Sequence, residues 1–438
     1  MNLWNFDTNG LNRRTLIKRA AQSLLGVSAL GALQGRAIGG EGPNEKINSV
    51  ADHFGQAKAV IYIYLWGGIS QIDSFDPKPG TDVQGPVETL KTNADGVLVS
   101  EYFPNLARQM DKVCVVRSMK TSQGEHQQGS YYMRTSYQVH QTTSHPGLGA
   151  WGSHFLGPNN PDLPANVRIG GHHGNRFWGG FLNPKHSALP IVDPVAGLRN
   201  CAPPESVTSS RQARRLARVR DMNRKFVEKN PTHGTMAHVE LFDEAVHLMK
   251  SREIDSFDLG QEAKEKRERY GNNSLGQGCL LAKRLVERGV RFVEVNDRDW
   301  DTHIFNFRKM EEKGPVLDQA LAALLQDLAT SGMLDETLVV VGTEFGRTPT
   351  IDTNFMGRDH YPQAFSCLLA GGGIAGGRAF GDTGKEGREI VDREVSIPDF
   401  NATIAHSMGL PLDKKVISPT NRPFTVANQG KPVMDLFG

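Results

Sequence analysis

The chain has 438 residues and carries 50 Lys and Arg against 48 Asp and Glu, a formal net charge of +2. That balance, with no basic stripe interleaved by aromatics, argues against a nucleic-acid partner, and the ordinary apolar content argues for a globular chain. The length suits one large α/β domain with insertions, or two domains. Four cysteines, Cys114, Cys201, Cys279 and Cys367, are far apart and form no CxxC pair, which argues against a zinc ribbon. Cys114 and Cys367 read as buried thiols in apolar strands, and no disulfide pairing is singled out.

In chain order, Asn12-Arg13-Arg14-Thr15-Leu16-Ile17-Lys18 precedes a mildly apolar stretch from Ala20 to Leu33, with small residues at Gly35 and Ala37. Adjacent arginines ahead of a weakly hydrophobic segment read as a twin-arginine export signal over residues 1–40. The alternative is an amphipathic basic helix. The apolar run is too short and too glycine-broken for a permanent membrane span. The expected partner there is the twin-arginine translocase, and the expected location is the periplasm or another exported compartment. Residues 41–438 form the remaining domain.

Lys58–Trp66 (KAVIYIYLW) reads as a fully buried strand of a parallel sheet. Gly67 and Gly68 let the chain turn at the sheet edge, ahead of Asp73 and Asp76. Asp73 is a candidate metal ligand; otherwise Asp73 and Asp76 cap local turns. Lys112–Met119 is a second strand, followed by Ser122-Gln123-Gly124-Glu125-His126 and a helix from Gln127 to Thr135. A hydroxyl at such a turn stands over the helix N-terminus, so Ser122 is either a nucleophile or a simple N-cap, with His126 one turn on. From Gly147 to Pro204 the chain is rich in Gly, Pro, Asn and His, including His172 and His173, and reads as loops walling a site. Cys201-Ala202-Pro203-Pro204-Glu205 lacks the arginine of the CxPxR pattern, which rejects a formylglycine sulfatase. Residues 208–290 read as a charged helical insertion whose arginines form a solvated face.

Val290–Val295 and Thr337–Val341 are further strands, joined by an amphipathic crossover helix over Gly314–Ser331. Phe365–Ala370 is a fifth strand, and Ile397–Met408 a late helix. The strand–helix–strand order predicts a parallel or mixed sheet. Asp301-Thr302-His303 follows one strand end, Glu344 another, and Asp359-His360 lies on the loop beyond. Carboxylates and imidazoles without thiolate suit Zn, Mn, Fe, Ca or Mg. Asp301, His303, Glu344, Asp359 and His360, with Asp73, provide donors enough for one or two divalent ions, at the sheet edge where α/β sites lie. Arg347 pairs either with a substrate oxyanion or with Glu344 or Asp352.

Several long motifs carry a resemblance: WGGISQIDSFDPKPG, WGGFLNPKHSALPIVDP, FDLGQEAKEKRERYG, GQGCLLAKRLVERGVRFVEV, DWDTH, GTEFGRTP, GRDHYP and FSCLLAGGGIAGG. From about residue 59 onward the chain resembles the twin-arginine-exported bacterial family called domain of unknown function 1501, placed in the alkaline phosphatase and sulfatase-like superfamily. The resemblance implies an α/β/α sandwich with a mostly parallel sheet, two metals and a nucleophile at a helix start. By motif, Asp301, His303 and His360 match metal ligands, and Ser122–His126 (SQGEH) is similar to the nucleophile segment SEVGH of cofactor-independent phosphoglycerate mutases. Three departures stand out: the first strand ends in Trp-Gly-Gly and not in a ligand Asp, Asp299 stands where the family commonly has Gly, and Glu344-Phe345 replaces an Asp-His pair. The implied activity is metal-dependent hydrolysis of phosphate or sulfate esters, small or carried on polysaccharides, with Ser122, His126 and Arg347 as catalytic residues. The alternatives are a binding or scaffold protein on the same fold, and a metal-dependent lyase or isomerase.

Overall fold

The structure, a computed structural model, describes residues 55–170 and 179–438. The expected export signal, and the loop histidines His172 and His173, lie outside the described residues.

Every residue of strand β1 (Ala59–Leu65) is buried. Side chains alternate across a strand, so Ile61, Ile63 and Leu65 enter one core while Val60, Tyr62 and Tyr64 enter another. A strand apolar on both faces needs helices on both. The other strands of this sheet are β2 (Val113–Lys120), β3 (Asn166–Ile169), β4 (Leu189–Ile191), β5 (Phe292–Asp297), β6 (Thr337–Gly342), β7 (Phe365–Ala370), β8 (Arg378–Phe380) and β9 (Val395–Ser396). Their order is β8-β2-β7-β6-β1-β5-β3-β4, with β9 also paired to β2. All pairings are parallel except those of β7, which runs antiparallel to β2 and β6.

The helices are α1 (His126–Thr135), α2 (Leu148–Leu156), α3 (Ser209–Lys229), α4 (His233–Lys250), α5 (Lys264–Tyr270), α6 (Ser274–Glu287), α7 (Asn306–Thr330) and α8 (Ile397–Ser407). Leu280, Leu281 and Leu285 of α6 and Leu317, Leu321 and Leu324 of α7 fill the core shared with Ile61 and Ile63. Met133 of α1, Trp151 of α2 and Phe400 and Ile404 of α8 fill the core shared with Val60 and Tyr62. The architecture is therefore an α/β/α sandwich around a mostly parallel sheet.

Several boundaries differ from the sequence reading. The glycine-rich stretch after Gly147 contains α2, β3 and β4, which are too short for periodicity to reveal. Helix α7 begins at Asn306, ahead of the expected start at Gly314, and runs through Pro315. At Gly314 a Cβ would lie 2.6 Å from Tyr102 Cβ, so the glycine serves close packing there. Helix α6, grouped by sequence with the helical insertion, is buried from Leu275 to Val286 and belongs to the sandwich. Even its Lys283 and Arg284 are buried, with their charged ends paired to Glu287 and Glu262. By contrast α3 has no buried residue. All four cysteines are free thiols. Among the described residues, no helix is long and apolar enough to cross a membrane.

Candidate metal centre

Strand β1 lies between β5 and β6, with Leu65 opposite Asp297 and Tyr64 opposite Gly342. Because the three strands are parallel, their chains leave at one edge of the sheet. The turn after β1 is tight. Gly67 has φ +121°, and a Cβ there would sit 2.4 Å from the Asp301 backbone nitrogen. Two chain segments can approach so closely only without a side chain between them. On the facing segment Asp299 takes φ +68°, a left-handed conformation that Gly adopts freely and Asp tolerates better than most residues. This accounts for the departure from glycine at that position.

Three imidazoles and one carboxylate converge at this edge. His126, the first residue of α1, has its Nε2 3.1 Å from Asp301 Oδ2. His303 and His360 place their Nε2 atoms 3.3 and 3.6 Å from Asp301 Oδ1. The two Nε2 atoms of His303 and His360 are 2.9 Å apart. Donor atoms of His126, Asp301 and His360 all fall within 4.8 Å of one another. Each ring is held from behind through Nδ1: His126 by Glu344 Oε1 at 2.8 Å, His303 by Asp359 Oδ1 at 2.7 Å, and His360 by the Gly124 carbonyl at 2.8 Å. Trp66 and Phe345 flank the His126 ring at 4.8 and 5.0 Å between centroids, and Phe345 also packs on His360.

The chemistry of these contacts fixes the protons. A carbonyl only accepts, so His360 carries its hydrogen on Nδ1; the carboxylates behind His126 and His303 impose the same tautomer. In their neutral, metal-binding form all three rings therefore turn Nε2 lone pairs toward Asp301 and toward each other. At 2.9 Å, facing lone pairs repel unless a cation lies among them. The Nε2 of His126 is buried and has no hydrogen-bond partner. Donors around a tetrahedral zinc-type ion stand about 3.3 Å apart, close to the separations here. The residues fit a divalent ion, and hydrogen bonds from carboxylate or carbonyl to the outer ring nitrogen are the usual support of metal-binding imidazoles.

The local electrostatics differ from ring to ring. Burial favours the neutral His126 ring, but the hydrogen bond and charge of Glu344, with Asp301, outweigh it and raise its pKa. Burial lowers the pKa of His360, against the Gly124 hydrogen bond and aided by Arg347 and the neighbouring imidazoles. Asp301 is held below the usual carboxylate range because the Arg347 hydrogen bond and charge overcome the opposing effect of burial.

The family model described as protein of unknown function (DUF1501) matches residues 57–437. The chain belongs to the DUF1501 family. No curated protein matches this DUF1501 chain. Among solved structures it is similar to the lipoteichoic acid synthase LtaP from Listeria monocytogenes, with 9% identity over 91% of this chain and 79% of that one and a TM-score of 0.40. It is similar to the C-terminal periplasmic domain of EcEptC from Escherichia coli, solved with Zn, at 10% identity over 89% and 96% and a TM-score of 0.38. It is also similar to the alkaline phosphatase of the Antarctic bacterium TAB5, at 11% identity over 73% and 92% and a TM-score of 0.33.

Within this DUF1501 chain the expected site residues separate into two groups. Asp301, His303 and His360 come together as expected, joined by His126, which had been assigned to catalysis. Asp73 does not join them. Its oxygens receive Arg358 Nε at 2.7 Å and Nη2 at 3.1 Å, with Ser70 Oγ and Asn306 Nδ2. The pair is fully buried, so Asp73 is the counter-ion of Arg358. Glu344, expected as a ligand, is also fully buried and accepts from the Gly67 N–H at 2.8 Å and the Tyr64 hydroxyl at 2.9 Å, besides His126. Asp359, expected as a ligand, stands behind His303 and is largely exposed.

Arg347, expected to face a substrate, is wholly buried. Its guanidinium donates to the carbonyls of Gly67, Gly68 and Arg358 and to Asp301 Oδ1 at 2.7 Å. It orients Asp301, a partner absent from the sequence reading. Ser122 is exposed, and its hydroxyl accepts from Gln123 Nε2 at 3.2 Å; no hydrogen bond joins it to the histidine cluster. It is not the helix cap either, because Glu125 caps α1 by accepting from the backbone N–H groups of Gln127 and Gln128. Sequence reasoning missed Glu125, the Gly124 carbonyl and Arg358. Arg358 had a signal, since it stands directly before Asp359-His360 in GRDHYP.

Proposed function

We propose that this DUF1501 protein is an exported metal-dependent hydrolase of phosphate or sulfate esters that holds one ion on His126, Asp301, His303 and His360. The observation behind this reading is the convergence of three Nε2 lone pairs on one carboxylate, each imidazole fixed by an acceptor behind it. Three nitrogens and one oxygen suit zinc or a neighbouring transition ion better than calcium or magnesium, which prefer oxygen shells. Once bound, such an ion supplies Lewis acidity to an ester oxygen and to the attacking group. The chain itself does the rest. Glu344 and Asp359 keep the ring tautomers, Arg347 holds one oxygen of Asp301 so that the other faces His126, and Trp66 and Phe345 keep water from one side. Ser122, exposed on the loop that also supplies Gly124 and His126, is the proposed nucleophile. Export by the twin-arginine translocase rests on Arg13-Arg14 and the apolar segment after them.

The test is metal analysis of purified protein beside a screen of aryl phosphates, phosphodiesters and aryl sulfates, each with metal supplied and removed. The expected result is one equivalent of bound metal and metal-dependent release of the phenol, lost in Ser122→Ala. Metal without turnover on any ester class would sink the hydrolase reading. A second reading is then favoured, a metal-binding scaffold or a lyase or isomerase. It is supported by Arg347 being sealed inside the protein and by the Ser122 hydroxyl bonding Gln123 and not the histidine cluster.

A further inference from the structure

Helix α3 is 21 residues long and has no buried residue. It carries eight Lys or Arg, at 211, 214, 215, 218, 220, 224, 225 and 229, against Asp221 and Glu228. The helix is thus net +6 in a chain of net +2, so the remainder of the chain is net negative. Arg220, Arg224 and Lys225 have ion-pair partners in Asp243, Asp221 and Glu228. Arg211, Arg214, Arg215, Arg218 and Lys229 form none among the described residues.

The helix has two apolar faces. Leu216 and Val227 are half-buried on the side packed along α4. Val219, Met222 and Phe226 form a second stripe, 37%, 59% and 56% exposed. At 100° per residue this stripe spans a sector of about 60°, and Arg211, Arg214, Arg218, Lys225 and Lys229 fill the adjoining sector of about 60°. Arg215 lies within the stripe, where a long side chain can lay its methylenes on the apolar surface and keep its charge outside.

We propose that α3 docks this DUF1501 protein on an anionic phospholipid surface, with Val219, Met222 and Phe226 entering the acyl boundary and the basic sector facing the headgroups. Charge complementarity selects the occupant. A second copy of the chain would bring two faces of net +6 together. A soluble polyanion would satisfy the arginines but leave the apolar stripe in water. A bilayer surface with acidic headgroups covers both sectors at once. This docking surface is separate from the metal centre and does not depend on the hydrolase reading.

The test is flotation of the full chain with phosphatidylcholine vesicles, with and without phosphatidylglycerol. Two variants accompany it: Val219→Ser with Met222→Ser and Phe226→Ser, and Arg214→Gln with Arg218→Gln and Lys225→Gln. None of the six residues is buried, so circular dichroism and metal content should match the parent. The expected result is binding that requires phosphatidylglycerol, weakened on the order of a hundredfold in the charge variant and also lost in the apolar variant. Binding unchanged in both variants, or equal binding to neutral vesicles, would overturn the proposal. So would loss in the charge variant alone, which marks a polyanion as the partner. A dimer by light scattering that the apolar variant dissolves would reassign the face to a second copy.

Discussion

Replacing Glu344 by Gln tests whether this residue supports a ligand or is itself one. The carboxylate is buried and shares Oε1 between the His126 Nδ1 and the Gly67 N–H, while Oε2 accepts from Tyr64. Glutamine keeps the shape and one accepting oxygen, so Gly67 and His126 retain a partner. What it removes is the negative charge that raises the His126 pKa and strengthens the ring as a donor. Loss of such a support costs about 10–100-fold in metal affinity, which is about 1.4–2.7 kcal/mol. Removing the ligand in His126→Ala should cost more. The assay is competitive titration of the metal against a chelator of known affinity, run on parent, Glu344→Gln and His126→Ala. If Glu344→Gln abolishes binding as fully as His126→Ala, Glu344 is a direct ligand. If it leaves affinity untouched, the outward hydrogen bond does nothing for the site. Either result refutes the assignment.

Three other outcomes follow from the same geometry. Asp359→Asn should weaken metal binding by less than about tenfold, because this support of His303 is exposed and its contribution is screened by water; a loss equal to that of Asp301→Asn would show that Asp359 binds the ion. Asp73→Ala should lower unfolding stability by about 3–5 kcal/mol by stranding the buried Arg358 guanidinium, while urea-unfolded fractions rise and the metal stoichiometry of folded protein stays the same; altered stoichiometry would restore Asp73 to the ligand set. His145 is stacked on Tyr137 with centroids 4.3 Å apart, and burial, with a smaller push from His140, lowers its pKa to about 4. His186 is lowered by burial to about 3, with His154 and Lys185 adding to the effect. For both, the unfolded chain takes up a proton near pH 6.5 while the folded ring stays neutral, so their contribution is complete above that pH and falls as pH drops toward the folded values. Urea midpoints in chelator should therefore decrease from pH 7 to pH 5, and a flat or rising profile would contradict this.

Much of the sandwich was readable because its inner strands are long and apolar. Ala59–Leu65, Val113–Lys120, Thr337–Gly342 and Phe365–Ala370 are runs that only a doubly covered sheet can hide, and the expected strands match them within two residues. The reversal of β7 was not readable, because apolar runs carry no sign of direction. Strands β3 and β4, at one end of the sheet, pair with each other over three residues, too few for any pattern to stand out from the Gly and Pro around them. Helix α6 misled for another reason. It continues a charged helical run and was grouped with it, whereas it is buried along almost its whole length, and even Lys283 and Arg284 lie in the protein with their charged ends paired.

The site was legible in residue type and only partly in role, and the reason lies in the crowding at the sheet edge. Six acidic and imidazole candidates were named as ligands, yet an imidazole presents one nitrogen to an ion and leaves the other in need of an acceptor. Three converging rings therefore demand three acceptors behind them, and the chain provides Glu344, Asp359 and the Gly124 carbonyl. Asp301 in turn needs a donor to hold its second oxygen, which is Arg347. A sequence shows which side chains can bind a cation, but it does not show which stand in front and which behind. That order is set by distance: Glu344 lies two residues past its strand and is drawn inward by Gly67 and Tyr64, while Asp301 lies four residues past Asp297 and reaches over the edge. Shortening the 298–300 segment by one residue should draw Asp301 back and break the cluster even with every ligand present. A metal-competent deletion variant would show that the loop, and with it this account of front and back, is not what positions the carboxylate.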